Sequence, residues 1–157
     1  MTREVTLTAP LAGTVGPVTD VPDPVFAQGI MGPGLAIQPP GGIVEVRAPI
    51  DGRVVALKPH ALVVSPAGVP AKVGVLVHLG IDTVGLQGEG FAVHVALNDE
   101  VAAGDRLVTW DTAVAGARGL STLCPIVVFS VADDALERLA PDGAEVAAGD
   151  ELAAVRL

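Results

Sequence analysis

Short apolar stretches alternate with turn residues along the whole chain. Most of these stretches are about five residues long and rich in Val or Ile, which is typical of β-strands rather than helices. The breaker PPGG at 39–42 and the turn at 66–70 separate them sharply. We therefore predict strands at 5–8, 44–47, 53–57, 61–64, 73–79, 91–97, 107–110, 126–131 and 152–157, with short helical turns at 25–29, 113–119 and 133–139.

Two segments of the chain occur twice in similar form. APLAGTV at 9–15 resembles APIDGRV at 48–54, and EVAAGDRL at 100–107 resembles EVAAGDEL at 145–152. Each pair predicts one turn-and-strand unit that is used twice, as in a sandwich with a pseudo-twofold axis. A solenoid would need more copies at a fixed period.

The composition agrees with the strand pattern. Half of the 157 residues are hydrophobic, but only three Phe, one Trp and no Tyr are present, so Val, Leu, Ile and Ala must build the core. The 19 Gly and 13 Pro supply many turns. We expect an all-β protein: an antiparallel β-sandwich or barrel with an internal duplicated motif and short helical turns, forming one domain over residues 1–157.

The charge balance limits the partners that the protein can have. The formal net charge is −9, from 18 acidic and 9 basic residues. Affinity for nucleic acid comes mainly from Lys and Arg, so a nucleic-acid partner is not expected. A basic protein partner is compatible with this charge, and so is a merely solvated acidic surface.

The sequence contains no recognisable targeting or membrane segment. The N-terminal stretch MTREVTLTAP lacks the apolar core of a signal peptide. No apolar run approaches the roughly 20 residues that a membrane-spanning helix needs. We therefore expect a cytoplasmic protein without direct membrane insertion.

Cys124 is the single cysteine, so the chain cannot form an intramolecular disulfide. It begins the apolar run CPIVVF at 124–129, and no cationic residue is adjacent to it in sequence. We expect a buried, inert thiol there, because a reactive cysteine needs a positive environment.

His78 is the first candidate for chemistry. It ends the apolar strand predicted at 73–79 and meets a glycine-containing turn, where an imidazole can be held rigidly and still reach solvent. Strand alternation places Leu76 on the same face as His78. A neutral imidazole can accept a phosphoryl group near neutral pH if a partner fixes the other ring nitrogen. A lone histidine beside an apolar run is, however, more often structural.

His60 is the second candidate, because a hairpin would bring it next to His78. The turn at 66–70 joins the strands predicted at 61–64 and 73–79, and both histidines lie far from that turn. One imidazole could then act as nucleophile while the other donates a hydrogen bond to phosphoryl oxygens. Two unrelated surface histidines are the alternative.

Two further polar residues near strands have simpler interpretations. His94 lies on the less apolar face of its strand, where we expect a structural or exposed role. Asp82, four residues after His78, could be an acidic contact beside the site or a turn residue that bonds backbone N–H groups.

Several segments together resemble a known family, the glucose-type IIA domains of the bacterial phosphoenolpyruvate-dependent sugar phosphotransferase system. The resemblance covers nearly the whole chain in order. It is carried by the run HLGIDTV at 78–84, by Leu86, Gly88, Gly90 and Phe91, and by 9–13, 20–27, 34–37, 48–52, 98–104 and 121–125.

The resemblance implies a phosphocarrier function without a cofactor. A phosphoryl group would arrive from the phosphocarrier protein HPr on His78, with His60 stabilising it, and would leave to the IIB domain of a sugar permease during sugar uptake. It also implies a shallow apolar depression that Asp23 and Asp82 flank and that Phe26 helps to form. Leu76 is expected on this partner-binding surface as well. Regulatory targets could be further partners of the same domain.

The sequence departs from the family at one position beside the site. The family often has a Thr two residues before the supporting histidine, whereas this chain has Lys58. Either another group orients His60, or the Lys58 ammonium helps to neutralise the phosphate. The connection at 66–72 is also longer than the resemblance leads us to expect.

Two other classes of protein remain as alternatives. A zinc-dependent peptidase of related fold could use the HxxxD spacing of His78 and Asp82, but it also needs an HxH pair, which His94 cannot complete. His60 and His78 require no metal, although they could take Zn²⁺ if an external ligand were added.

A biotinyl or lipoyl-type carrier would need an exposed lysine at a hairpin tip, usually beside Met. Lys58 and Lys72, the two lysines, have no Met nearby.

Overall fold

The computed structural model describes residues 3–157, which form fourteen β-strands, two short α-helices and two 3-10 turns. The strands are β1 (Glu4–Thr8), β2 (Gly13–Pro17), β3 (Gly34–Gln38), β4 (Ile43–Arg47), β5 (Gly52–Lys58), β6 (Ala61–Ser65), β7 (Gly74–His78), β8 (Phe91–Val93), β9 (Glu100–Val101), β10 (Arg106–Asp111), β11 (Cys124–Phe129), β12 (Leu136–Arg138), β13 (Glu145–Val146) and β14 (Glu151–Arg156). The helices are α1 (Pro24–Ala27) and α2 (Thr112–Ala117), and the 3-10 turns are Val18–Asp20 and Thr83–Leu86.

The strands form three antiparallel sheets. The large sheet has the order β13-β2-β3-β11-β7-β6-β5-β9, and the two small sheets have the orders β1-β14-β12 and β4-β10-β8. The predicted all-β antiparallel fold is therefore confirmed. No helix in the described part of the chain combines the length and the apolar character that crossing a membrane requires.

The strand order is symmetric about the boundary between β7 and β11. Exchanging β7 with β11, β6 with β3, β5 with β2 and β9 with β13 maps the large sheet onto itself. A matching exchange of β1 with β4, β14 with β10 and β12 with β8 maps one small sheet onto the other. The pseudo-twofold arrangement predicted from the repeated segments is confirmed.

The repeated segments also make the same contacts in both halves. The N–H of Ala9 donates to the carbonyl of Asp150 at 2.7 Å, and the N–H of Ala48 donates to that of Asp105 at 2.8 Å. Each aspartate carboxylate in turn accepts a hydrogen bond from the backbone N–H three residues earlier, at 2.8 Å for Asp150 and 2.9 Å for Asp105. One local sequence thus specifies one local structure twice.

Gly13 and Gly52 occupy equivalent positions in the two halves, and both are required by a close strand approach. A Cβ atom would lie 2.3 Å from the carbonyl oxygen of Gln38 at Gly13, and 2.3 Å from that of Ser65 at Gly52. Such distances are far inside van der Waals contact. Each repeated segment therefore needs glycine at this position.

The main core lies on one face of the large sheet and a smaller cluster lies on the other. In β7, Val75 and Val77 belong to the main core, whereas Leu76 points to the opposite face. Trp110 is fully buried in the main core and stacks on Phe91 with 5.7 Å between ring centroids. We call the second group the outer cluster: Val21, Phe26, Ala36, Val63, Leu76, Ile81 and Val127.

Two predicted elements are wrong in part. The strand expected at 91–97 ends at Val93, because the Asp99 carboxylate accepts a hydrogen bond from the N–H of Ala96 at 2.8 Å and holds the following residues in a turn. The segment 133–139 contains strand β12 rather than a helical turn. Its pairing with β14 overrides the helix propensity of this stretch.

Candidate functional site

The large sheet brings His60 and His78 together. Strands β6 and β7 are hydrogen-bonded neighbours, and Ala61 lies opposite His78 in their register. His60 occupies the turn between β5 and β6, where its carbonyl accepts a hydrogen bond from the N–H of Leu79 at 2.7 Å. The two imidazole centroids lie 5.2 Å apart, nearly perpendicular at 79°. The hairpin predicted from the sequence is confirmed.

A single hydrogen bond fixes the tautomer of His78. Its Nδ1 atom lies 2.6 Å from the carbonyl oxygen of Gly80. A carbonyl oxygen can only accept, so Nδ1 carries the proton and the lone pair of the neutral ring is on Nε2. The side chain therefore presents one defined nucleophilic atom.

The loop after β7 holds the Gly80 carbonyl in place. Gly80 has a φ of +77°, and a Cβ atom there would lie 2.7 Å from the carbonyl oxygen of Ser121. That same oxygen accepts from the N–H of Ile81 at 3.0 Å. The buried hydroxyl of Thr83 donates to the Leu79 carbonyl at 2.7 Å. We did not predict from the sequence that the Gly80 carbonyl accepts the hydrogen bond from His78. The feature of the sequence that indicates it is the glycine two residues after the histidine.

Burial keeps His78 neutral. It lowers the pKa of His78 below the ordinary value of 6.5, and this effect outweighs the Gly80 hydrogen bond and the nearby Asp23 and Asp82 carboxylates, which raise it. The imidazole is therefore unprotonated at neutral pH. A free lone pair is what a nucleophile needs.

His60 is neutral for related reasons. Its side chain is less buried than that of His78, but burial still lowers its pKa below 6.5, and the neighbouring His78 and the Lys58 ammonium lower it further. A neutral imidazole still has one ring N–H to donate. The site thus contains two adjacent neutral imidazoles.

An apolar surface surrounds the two imidazoles. The Phe26 ring of α1 lies 5.2 Å from the His78 ring, and the Asp23 carboxylate caps α1 by accepting from the N–H of Val25 at 3.0 Å. Phe26 and Leu76 are 7% and 6% exposed, so they form the floor of this surface. Two exposed apolar side chains lie on neighbouring segments: Val25, next to Phe26 in α1, is 43% exposed, and Val84, in the 3-10 turn that follows β7, is 66% exposed.

The remaining candidate residues lie in other settings. His94 is exposed, with Nε2 2.7 Å from the Thr109 hydroxyl oxygen, in agreement with its expected role. Cys124 is fully buried, and burial raises the pKa of its thiol to about 12. Within residues 3–157 no three His, Cys, Asp or Glu side chains lie close enough to hold a metal ion, so the ligand set of the zinc-peptidase alternative is missing.

The fold and the site together define a class of protein: a β-sandwich domain with a paired-histidine centre on a surface that other molecules can reach. The model of one protein family, described as "phosphoenolpyruvate-dependent sugar phosphotransferase system, EIIA 1", matches residues 5–134. The chain belongs to this EIIA family and is therefore a phosphocarrier component of the sugar phosphotransferase system.

Individual relatives agree with this assignment. The chain is 42% identical over 142 residues to the "PTS system glucose-specific EIIA component" of Bacillus cereus, which covers 88% of this chain and 81% of that protein. It is 42% identical over 130 residues to the "PTS system mannose-specific EIIBCA component" of Corynebacterium glutamicum, which covers 82% of this chain and 18% of that longer protein. The solved structure of glucose permease IIA from Mycoplasma capricolum superposes with a TM-score of 0.85 at 34% identity, covering 97% of this chain and 96% of that one. The peptidase and biotinyl or lipoyl alternatives find no support in these relatives.

Proposed function

We propose that the protein accepts a phosphoryl group on Nε2 of His78 from phosphorylated HPr and passes it to the IIB domain of a sugar permease. The observation that carries this proposal is the bond from His78 Nδ1–H to the Gly80 carbonyl, which leaves Nε2 as the lone-pair atom. The lowered pKa of His78 supports it, because the ring is neutral when the donor arrives.

The transfer step exchanges one nitrogen–phosphorus bond for another. The Nε2 lone pair attacks phosphorus in line with the bond to the donor histidine, and the electron pair of the breaking bond returns to the donor's ring nitrogen. The Nδ1 proton stays on His78, and its hydrogen bond to Gly80 stabilises the positive charge that develops on the ring. Because the bonds made and broken are alike, the protein contributes mainly position and electrostatics.

His60 is proposed to stabilise the transferred group. Its ring centroid lies 5.2 Å from that of His78, so a hydrogen bond from its N–H to a phosphoryl oxygen is within reach after a small rotation. Its neutral form supports this role, since a neutral ring donates without binding the phosphate so strongly that release is slow.

The surface around the histidines is proposed to receive both partners in turn. Phe26 and Leu76 supply the apolar floor, and the Asp23 and Asp82 carboxylates act electrostatically on His78. Acidic groups around an apolar patch favour fast docking of a basic partner without tight binding. The EIIBCA name of the Corynebacterium relative supports IIB as the acceptor.

We also infer that the chain forms one EIIA domain. The family match ends at residue 134, but the three strands beyond it complete the sandwich: β13 pairs with β2, while β14 pairs with β1 and β12. Membership of this family supports a cytoplasmic location.

Phosphoryl transfer in a reconstituted system tests the proposed function. The chain is mixed with phosphoenolpyruvate, enzyme I and HPr, and its intact mass is followed. We expect an acid-labile gain of one phosphoryl group in the wild type and in His94→Ala, and none in His78→Ala. His60→Ala should accept the group but pass it poorly to IIB. Acceptance by His78→Ala, or none by the wild type, would refute the proposal.

A further inference from the structure

The register of three neighbouring strands places Lys58 in line with His78. Lys58 of β5 lies opposite Ala61 of β6, and Ala61 lies opposite His78 of β7. Residues in one row of an antiparallel sheet project to the same face. All three side chains therefore point to the face that carries the outer cluster, which Ala61 also contacts.

The small side chain between them leaves this row open. Neighbouring strands are about 4.8 Å apart, so the Lys58 and His78 backbones are separated by roughly 10 Å, and the short side chain of Ala61 occupies the position between them in the row. A lysine side chain is a flexible four-carbon stem that ends in a compact charge. It can lie over Ala61 and bring its ammonium beside the imidazole of His78.

Among the residues that the structure describes, Lys58 has no acidic partner. Within residues 3–157 it takes part in no ion pair, although five other basic residues do so: Arg53, Arg106, Arg118, Arg138 and Arg156. Its side chain is exposed. The ammonium is therefore available to a negative group that arrives at the site.

A phosphoryl group on His78 needs such a cation. Phosphoryl groups on protein side chains carry a charge of about −1.5 to −2 near neutral pH. The charged groups that act on His78 are the Asp23 and Asp82 carboxylates, which repel a phosphoryl group, and His60 is neutral. We propose that the Lys58 ammonium is the counter-ion of the phosphoryl group carried by His78, an inference that rests on the proposed function.

The resting site already shows the electrostatic influence of Lys58. Its charge contributes to the lowered pKa of His60, after burial and the effect of His78. Lys58 thus has two consequences for the same site. It adds to the effect of burial that keeps His60 neutral before transfer, and it balances the phosphoryl charge after transfer.

Phosphorus NMR of the phosphorylated protein tests this inference. The wild type is compared with Lys58→Met, with Lys58→Arg and with the matched control Lys72→Met, which removes the other lysine from the turn at the opposite end of β6 and β7. We expect Lys58→Met to raise the pKa of the phosphoryl group by about 0.5 to 1 unit, because a nearby positive charge favours the dianion. In Lys58→Arg and Lys72→Met, the pKa of the phosphoryl group should equal that of the wild type. In the unphosphorylated protein, Lys58→Met should also raise the pKa of His60.

The outcomes separate this inference from the proposed function. If the wild type is phosphorylated but Lys58→Met titrates like Lys72→Met, the counter-ion role is refuted and the phosphocarrier function stands. If the wild type accepts no phosphoryl group, both fail. If Lys58→Met accepts no phosphoryl group although the wild type and Lys72→Met do, acceptance by Lys58→Arg supports the charge role, and failure of Lys58→Arg refutes it.

Discussion

The Nδ1 atom of His78 lies 2.6 Å from the carbonyl oxygen of Gly80, two residues further along the chain. The acceptor belongs to a backbone held in the left-handed region, at a φ of +77°, with no room for a side chain. The chemistry of the imidazole therefore depends on a glycine that does not itself react.

Replacing Gly80 with alanine should damage both stability and transfer. The left-handed conformation alone costs a non-glycine residue about 1–2 kcal/mol. The new Cβ would also lie 2.7 Å from the Ser121 carbonyl oxygen and 2.8 Å from Cγ2 of Thr83, which displaces the carbonyl that orients His78. We expect urea unfolding to give a lower free energy of unfolding than for the wild type. Measurements of intact mass over time should show slower acceptance of the phosphoryl group.

Gly119→Ala is the matched control. Gly119 has a similar φ of +70° but no atom within 4 Å of its Cβ position. The Gly119→Ala variant should lose only the free energy that the left-handed backbone conformation costs alanine, and it should accept the phosphoryl group at the wild-type rate. Equal effects of the two substitutions on transfer would contradict the role assigned to the Gly80 carbonyl.

The stability of the protein should fall below pH 6.5 in a way that depends on His78. Burial lowers the pKa of His78 in the folded state, whereas the unfolded chain keeps the ordinary value of 6.5. Below that pH the unfolded state binds a proton that the folded state does not, so unfolding becomes more favourable. The stabilisation is complete above pH 6.5 and is lost as the pH falls towards the lowered value.

The comparison with His78→Gln isolates this contribution. Urea unfolding on both sides of pH 6.5 should show a steeper loss of stability with falling pH in the wild type than in His78→Gln. The carboxylates titrate in both proteins, so the difference between the two curves reports His78. Parallel curves for wild type and His78→Gln would contradict the buried, neutral state of His78.

The two repeated turns should respond alike to the loss of their aspartates. The Asp105 and Asp150 carboxylates each accept one backbone N–H, at 2.9 and 2.8 Å. Substitution with Ala should cost about 0.5–1.5 kcal/mol in each case, the usual net contribution of one hydrogen bond. The measurement is the free energy of unfolding, with the exposed Asp133→Ala as a control that should change little. A large difference between the two turns would show that the halves are not energetically equivalent.

Cys124 should resist alkylation in the folded protein. Burial raises the pKa of its thiol from 9.0 to about 12. Below both values this lowers the reactive thiolate fraction by roughly 10³-fold, and burial also blocks access. Iodoacetamide should therefore label the native protein only as fast as it unfolds, and the urea-denatured protein rapidly. Rapid labelling of the native protein would mean that β11 opens at little cost.

Much of the fold could be predicted because its signals are local. The apolar stretches separated by glycine and proline predicted most strands within one or two residues. The repeated segments predicted the pseudo-twofold arrangement. The approach of His60 to His78 was also predictable, since both residues lie at the end of the hairpin that is far from its turn. The segment 133–139 failed because strand β12 depends on pairing with β14, which is contributed from further along the chain.

The sequence by itself determined the family, the all-β class, the duplication and the two histidines, because each depends on residue order over short distances. The tertiary structure decided what surrounds the histidines. It placed Phe26 against His78, the Ser121 carbonyl under the loop that follows β7, and Lys58 in one row with His78 across Ala61. These contacts join segments that are distant in sequence, and burial then sets the protonation of both imidazoles. Neither these particular contacts nor the burial of each imidazole can be read from a periodic pattern in the chain, so only the assembled sheets specify them.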